Sequence, residues 1–382
     1  MNFTETEEQT LLRQEVRNIA KPFGREYYLA KARAGEPLDE LWNAVGSAGY
    51  LGVNIPESHG GGGLGISELA MVSEELAAAG CPLLLLLVSP AICGTILARF
   101  GTPTQQDTWL PGLATGETKL VFAITEPDAG SNSHRISTVA RRDGDDWLLR
   151  GTKYYISGAD EADAILVVAA TPGDDGRPGL SLFLVDADAA GLTRTPIPME
   201  LVAAERQYTL FFDDVRVPAE RLVGKPGHGL QQVFVGLNPE RILGAAMGNG
   251  IARYALSAGA RYAGERAVFG APIGTHQGIA HPLAQAKIEV ELARLMTSKA
   301  AWLFDQGLDA AEAANMAKYA AAEAALAAVD AAIQTHGGNG MSEEYGIAAL
   351  WGVARTLRIA PVSREMILNF IAQHSLKLPK SY

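Results

Sequence analysis

Strand-forming sequence in this chain is confined to the middle third, with helical sequence on both sides. From about Leu120 to Val235, short runs rich in β-branched and aromatic residues alternate with Gly, Pro and Asp: Lys119 to Ile124, Trp147 to Arg150, Ala164 to Ala169, Leu180 to Val185 and Thr209 to Val217. Residues 171–178, Thr-Pro-Gly-Asp-Asp-Gly-Arg-Pro, read as a surface hairpin loop. Ahead of this region, Thr4-Glu5-Thr6-Glu7 has the form of a capping box, and Leu12, Val16 and Ile19 follow at helical spacing. Leu38 to Ala48 and Ile66 to Ala79 are also helical in pattern, and the Pro56-Glu57-Ser58-His59 and Gly60 to Gly63 run between them reads as a flexible connection. Helix returns after Asn238, and the alanine-rich segment from Ala310 to Ile333 is strongly helical. Grouping of this kind predicts an α+β fold with segregated layers, not an alternating parallel sheet. Three parts are expected: an N-terminal all-α domain (1–119), a middle β-sheet or barrel-like β domain (120–235) and a C-terminal α-helical bundle of four-helix type (236–382).

Composition removes several classes. The apolar fraction of 48% with 20% charged residues is that of a soluble globular protein. A formal charge of −11 argues against a nucleic-acid binder, which would need clustered Lys and Arg. Cys81 and Cys93 are too few for a disulfide framework and fit a reducing compartment. The start, Met1-Asn2-Phe3-Thr4-Glu5, lacks the basic and apolar regions of a signal peptide. The apolar run Leu83 to Val88 is far short of the roughly 20 residues that span a bilayer. The expectation is a cytoplasmic protein that meets neither membrane nor nucleic acid. No Gly-Lys-Ser/Thr phosphate loop or His-Glu-x-x-His occurs, and the seven His lack metal-ligand spacing. Gly60, Gly62 and Gly65 fit Gly-x-Gly-x-x-Gly only formally, since no βαβ pattern surrounds them.

Three other segments carry chemistry. Phe122-Ala123-Ile124-Thr125-Glu126-Pro127-Asp128-Ala129-Gly130-Ser131-Asn132 is a strand ending in a Pro/Gly turn, which exposes N–H groups and hydroxyls to a ligand. Lys153-Tyr154-Tyr155-Ile156-Ser157-Gly158 is an aromatic-rich strand, in isolation a packing feature. Arg266-x-x-Phe269-Gly270 with His276-Gln277, and Gln334-Thr335-His336-Gly337-Gly338-Asn339-Gly340, belong to the C-terminal part; the glycines alone read as a helix stop.

Together these blocks resemble the FAD-dependent acyl-CoA dehydrogenase family over nearly the whole chain. The first is similar to Thr-Glu-Pro-x-Ala-Gly-Ser-Asp, with Asn132 replacing Asp. The second is similar to Lys-x-Trp-Ile-Thr-Asn, with Tyr155 for Trp and Ser157 for Thr. The resemblance implies that Phe122, Ile124, Thr125 and Ser131 hold the flavin pyrimidine ring, with Ser131 also reaching the pantetheine arm. It further implies that Tyr155 shields one flavin face and that Ser157 reaches N5. Arg266, Phe269 and Gln277, with Gln334 and Gly338, would clamp the adenosine diphosphate half of FAD from a neighbouring subunit, the Arg on the pyrophosphate. Ser363 and Glu365 align with further cofactor-binding positions. The resemblance thus implies an obligate homo-oligomer, dimer or tetramer.

The chain departs from the family where most members carry Tyr-Glu-Gly-Thr, whose Glu removes the substrate α-proton. Here the residues are Ala360-Pro361-Val362-Ser363, and proline offers neither a base nor an N–H. Isovaleryl-CoA and long-chain members place the Glu on another helix, just before a substrate-binding Arg. Asn238-Pro239-Glu240-Arg241 matches that pattern, making Glu240 the aligned base and Asn238 and Arg241 the aligned contacts to the CoA arm. The same four residues also read as a plain helix start: Asn238 the N-cap, Pro239 at N1 and Glu240 in the first turn, where the dipole would hold its pKa down. Glu365 is the other candidate base. The hydrogen bond to the thioester oxygen that Pro361 cannot donate is left to the Val362 N–H or to the flavin ribityl hydroxyl alone. The implied activity is α,β-dehydrogenation of an acyl-CoA to a trans-2-enoyl-CoA, as in fatty-acid β-oxidation, with an electron-transferring flavoprotein as acceptor. A flavin monooxygenase or oxidase on the same scaffold, and a non-catalytic partner subunit or CoA-ester binding protein, are the rival readings. Acyl-pocket depth is set near Leu87 to Ile92 and around Gly244.

Overall fold

The computed structural model describes residues 4–172 and 179–380. Most of the expected loop at 171–178 lies outside the described residues. Helix α1 (Glu7–Ala20) starts two residues later than the Thr4 pattern implied: the Thr6 hydroxyl accepts from the Gln9 N–H and the Gln9 side chain from the Thr6 N–H, at 3.2 and 3.1 Å. The working capping box is therefore Thr6-x-x-Gln9, with Gln in the role expected of Glu. Helices α2 (Gly24–Ala34), α3 (Asp39–Ser47) and α4 (Ile66–Ala78) come next. The glycine run ahead of α4 is not a loose connection. Gly62, Gly63 and Leu64 donate backbone hydrogen bonds of 2.8–2.9 Å to Gly52, Ile55 and Val53. A Cβ at Gly61 would lie 2.2 Å from the Ile55 carbonyl, so close backbone approach requires that glycine. A fully buried π-helical segment, Leu87–Gly94, interrupted by Pro90, leads into α5 (Thr95–Phe100) and α6 (Pro103–Thr115).

The middle region forms one eight-stranded sheet: β1 (Leu120–Ala123), β2 (Val139–Asp143), β3 (Asp146–Ser157), β4 (Ala164–Thr171), β5 (Gly179–Asp186), β6 (Leu192–Ile197), β7 (Gln207–Val217) and β8 (Leu222–Val223). Its order is β6-β7-β3-β2-β4-β5-β8, with β1 parallel to β4. β4 is buried on nearly every residue, which explains its unbroken apolar run. β2 and β6 are different: one residue of β2 is buried and none of β6, so neither shows the alternation that would announce a strand.

The C-terminal region packs three long helices, α7 (Gly229–Glu265), α8 (Gln277–Asp305) and α9 (Ala311–His336), with the short α10 (Ala349–Thr356) and α11 (Arg364–Phe370). A small hairpin, β9 (Ala267–Val268) and β10 (Ala271–Pro272), joins α7 to α8. Because α7 begins at Gly229, Asn238 and Pro239 lie inside it. The helix-start reading of that tetrapeptide is thereby corrected. α4 packs against α7 and α8, and one buried apolar cluster runs through all three regions. Asp305, the last residue of α8, accepts from the N–H groups of Ile66 and Ser67 at 2.8 and 2.9 Å and so caps α4 from the other end of the sequence.

Candidate active site

Two of the three blocks meet on the sheet. The Tyr154 N–H donates to the Thr125 carbonyl at 2.8 Å, and the Lys153 ammonium donates to the Ile124 carbonyl at 3.0 Å and to Glu126 at 2.9 Å. Glu126 also accepts from the Ser137 and Thr138 N–H groups at 2.6 and 2.9 Å. Burial would raise its carboxyl, but the Lys153 charge and these hydrogen bonds outweigh that and hold it down at about 2. Burial likewise draws Lys153 down to about 8 against the pull of Glu126, and the pair is charged at neutral pH. Sequence reasoning passed over this pair. Its signal is a lysine well inside a strand-forming segment, next to an aromatic pair, which must find a carboxylate when buried.

The buried pair anchors the strand just ahead of its exposed aromatic. The β3–β7 register shifts between Lys153 and Ile156, and at this bulge Tyr155 takes a φ of 56° with 50% of its surface exposed. Positive φ is strained for an aromatic residue, on the order of 1–3 kcal/mol, and core packing does not explain an exposed ring. Ser157 donates to Gln207 at 2.9 Å. Phe122 is buried, Ile124 and Thr125 are half-buried and Ser131 is exposed, so the first block runs from core to surface.

The third block lies at the far end of α7. Arg266, His336 and Asn339 share a cleft of about 260 Å³ with Arg261, Tyr262 and Tyr345. Tyr262 stacks on His336 at 4.3 Å and accepts from Asn339 at 3.0 Å. Gly337, at φ 60° and ψ −133°, stops α9. Phe269, at φ 54° in the β9–β10 turn, is 97% exposed, and Gln277, Gln334 and Gly338 are exposed as well. Arg266 makes no ion pair among the described residues. A free guanidinium beside a cleft, with exposed aromatics at both locations, fits a planar group carrying phosphates, and FAD is such a group.

On α7, Arg241 donates to the Leu237 carbonyl at 3.3 Å and to Asn238 Oδ1 at 3.1 Å, while its Nε is buried without a partner. Glu240 makes no hydrogen bond or ion pair among the described residues. The residue retains some accessible surface, yet the carboxyl lies deep enough that Cys93, Arg241 and Lys318 all feel its charge. Burial pushes it up to about 7, opposed by Arg241 and Lys318. Its place inside the helix removes the dipole that a first-turn carboxylate would feel. One turn further along α7, a Cβ at Gly244 would lie 3.8 Å from Leu87 Cδ2 and 3.9 Å from Pro361 Cδ. The π-helical segment and the Pro361 loop therefore close on the same face of α7 as Glu240. Ser363 caps α11 by accepting from the Met366 N–H at 3.2 Å, and Glu365 points outward, 72% exposed and 3.6 Å from Arg364. Among the described residues, no group of His, Cys, Asp and Glu is arranged to hold a metal, and no helix is long and apolar enough to cross a membrane.

A sheet region flanked in the chain by helical regions, two exposed aromatics and a desolvated carboxylate fit the class of flavin-dependent oxidoreductases. Family models for the N-terminal, middle and C-terminal domains of acyl-CoA dehydrogenase match residues 6–117, 121–215 and 227–376. The acyl-CoA dehydrogenase FadE12 of Mycobacterium tuberculosis is 57% identical over 100% of this chain and 99% of its own. The glutaryl-CoA dehydrogenase glutaryl-CoA complex superposes with a TM-score of 0.94 at 33% identity, covering 100% and 98% of the two chains. The FAD complex of PigA superposes at 0.93 with 27% identity, covering 99% and 100%. The chain belongs to the acyl-CoA dehydrogenase family, whose members are FAD-dependent oxidoreductases.

Proposed function

We propose that this protein dehydrogenates an acyl-CoA thioester between its α- and β-carbons, with Glu240 as the base that takes the α-proton. The observation that carries the assignment is the Glu240 carboxyl itself, desolvated and without a hydrogen-bond partner on the face of α7 closed by Leu87 and Pro361. A base raised to about 7 is ionised for a useful fraction of the time near neutrality and accepts a proton more readily than an ordinary carboxylate. Glu365 is the weaker alternative because it faces outward. Arg241, oriented by Asn238, has a buried N–H to give to the CoA arm.

The residues that would hold FAD are Phe122, Tyr155 and Ser157 on the sheet and Ile124, Thr125 and Ser131 in the segment after β1, with Arg266, Phe269, Gln277, Gln334 and Gly338 at the adenosine end. When bound, the flavin supplies the acceptor for the β-hydride. An electron-transferring flavoprotein is the proposed oxidant of the reduced enzyme. A homo-oligomer is the proposed assembly, supported by the exposed stripe Ile288, Leu292 and Leu295 at helical spacing on α8.

Glu240→Gln tests the base directly. The variant is expected to bind FAD and acyl-CoA with wild-type spectra but to lose anaerobic flavin bleaching by at least ~100-fold, the range of a general base. Undiminished bleaching would overturn the assignment. Running the wild-type protein against a panel of acyl-CoA esters under the same conditions identifies the acyl group.

A further inference from the structure

Lys318 of α9 is one of the largest fully buried side chains in the molecule. Its ammonium donates to the Val362 carbonyl, the residue after Pro361, and makes no other hydrogen bond among the described residues. Burying an ammonium costs several kcal/mol, which one neutral carbonyl does not offset, and methionine would fill the same volume without a charge. The charge must have a further partner. The charges that act on it are those of Glu240 and Arg241 from α7 and Glu365 from α11. Glu365 is mostly in water, and Arg241 is itself a cation and cannot pair with an ammonium. Glu240 is left as the anion in a dry environment, where an opposite charge acts most strongly.

We propose that Lys318 is a positioning residue for α-proton abstraction: anchored on the Val362 carbonyl, its ammonium ties the Pro361 loop to α9, which packs on α7, and supplies a buried counter-charge for Glu240. The proposal rests on Glu240 being the base. The family's usual loop carries the base on itself; here the loop carries a proline, and a lysine behind it ties that loop to α9, which packs against the helix that does carry a carboxylate. The coupling runs in both directions. Lys318, after Arg241, opposes the rise of the Glu240 carboxyl, and Glu240 opposes the burial that draws Lys318 down to about 8.

The sign of the expected effect is fixed. Arg241 and Lys318 both hold the Glu240 carboxyl down, so removing the Lys318 cation leaves only one of them and ionisation moves to higher pH. The experiment records the anaerobic bleaching rate of the FAD-loaded oligomer against pH for wild type, Lys318→Met, Lys318→Gln and Lys318→Arg. Both neutral variants should shift the midpoint of the acidic limb up by about one unit, so that the rate on that limb falls about tenfold and recovers at high pH. Lys318→Gln keeps a donor for the Val362 carbonyl and separates the hydrogen bond from the charge. Lys318→Arg keeps the charge and should leave the midpoint in place. A rate lowered equally at every pH, with the midpoint unmoved, overturns the proposal. So does failure of both neutral variants to fold and take up FAD, since Lys318 would then serve the fold. Glu240→Gln is measured alongside: undiminished bleaching there removes the base itself, whereas its loss together with an unmoved Lys318→Met midpoint removes only the role of Lys318.

Discussion

At the scale of single residues, Glu240 is held in a place that opposes its charge, and this has a consequence for stability apart from catalysis. Its carboxyl ionises near 7 in the folded protein against 4.5 for the unperturbed group. A carboxyl raised on folding favours the folded state while protonated. That contribution is complete below about pH 4.5 and is lost as pH climbs through 7. Glu240→Gln, which is neutral at every pH, should therefore melt higher than wild type at pH 8 by the equivalent of roughly 1–3 kcal/mol. The gap should close toward pH 5. Thermal melts of FAD-loaded protein at the two pH values check this, and equal gaps at both would show that the carboxyl is not raised. The sequence pattern pointed to this residue but misjudged its setting. Asn-Pro-Glu has the chemistry of a helix start, and only the length of α7 shows that it lies in an interior. Glu126 and Lys153 illustrate the converse: each was quoted within a motif, yet their pairing depends on β3 running beside the segment that follows β1, which no local pattern contains.

At the scale of elements, legibility followed burial. The strands with buried faces, β1, β3, β4, β5 and β7, left hydrophobic signals, whereas β2 and β6 are mostly solvated and left none. The long helices were legible from alanine content and apolar spacing, but their contacts were not. Asp305 is the clearest case. It ends α8 and accepts three hydrogen bonds from Ile66 and Ser67 at the start of α4, although 238 residues separate it from Ser67. α4 has only Gly65 at its N-cap, a residue without a side chain to offer, so the cap is supplied from outside. Asp305→Ala should destabilise the folded protein by about 1–2 kcal/mol, the usual worth of a lost cap. It should also speed hydrogen exchange at the first turn of α4 more than at α7. Uniform exchange throughout would mean that the cap does not act locally. Deeper along the same helix, Glu74 and Glu75 gather Arg13 from α1, Arg253 from α7 and Arg294 from α8. Adjacent acids on one helix thus tie three others to it, a function the sequence shows only as two charges in an apolar stretch.

At the scale of the whole molecule, the residues proposed for FAD fall into two groups on different regions of the chain. Tyr155 and Ser157 sit on the sheet and Thr125 just after β1; Arg266, Phe269 and Gly338 sit at the junction of α7, α8 and α9. Phe269 extends almost wholly into solvent from a two-residue turn, a poor place for an aromatic ring unless something outside the chain covers it. If the adenosine clamp serves a neighbour's flavin, the two groups of one chain belong to two different sites. Subunit complementation tests this. One variant carries Tyr155→Ala with Ser157→Ala and the other carries Arg266→Ala with Phe269→Ala; each alone should purify with little FAD. Co-expressed, the two chains form mixed oligomers in which some sites combine the intact sheet of one chain with the intact clamp of the other. For random pairing in a two-fold assembly, about one site in four regains both halves, and FAD content should rise to about that fraction of wild type. A site built within one chain would gain nothing from mixing, because every chain present carries a defect. Flavin absorbance per chain in the mixed preparation therefore separates a shared cofactor site from a private one, whatever the acyl substrate proves to be.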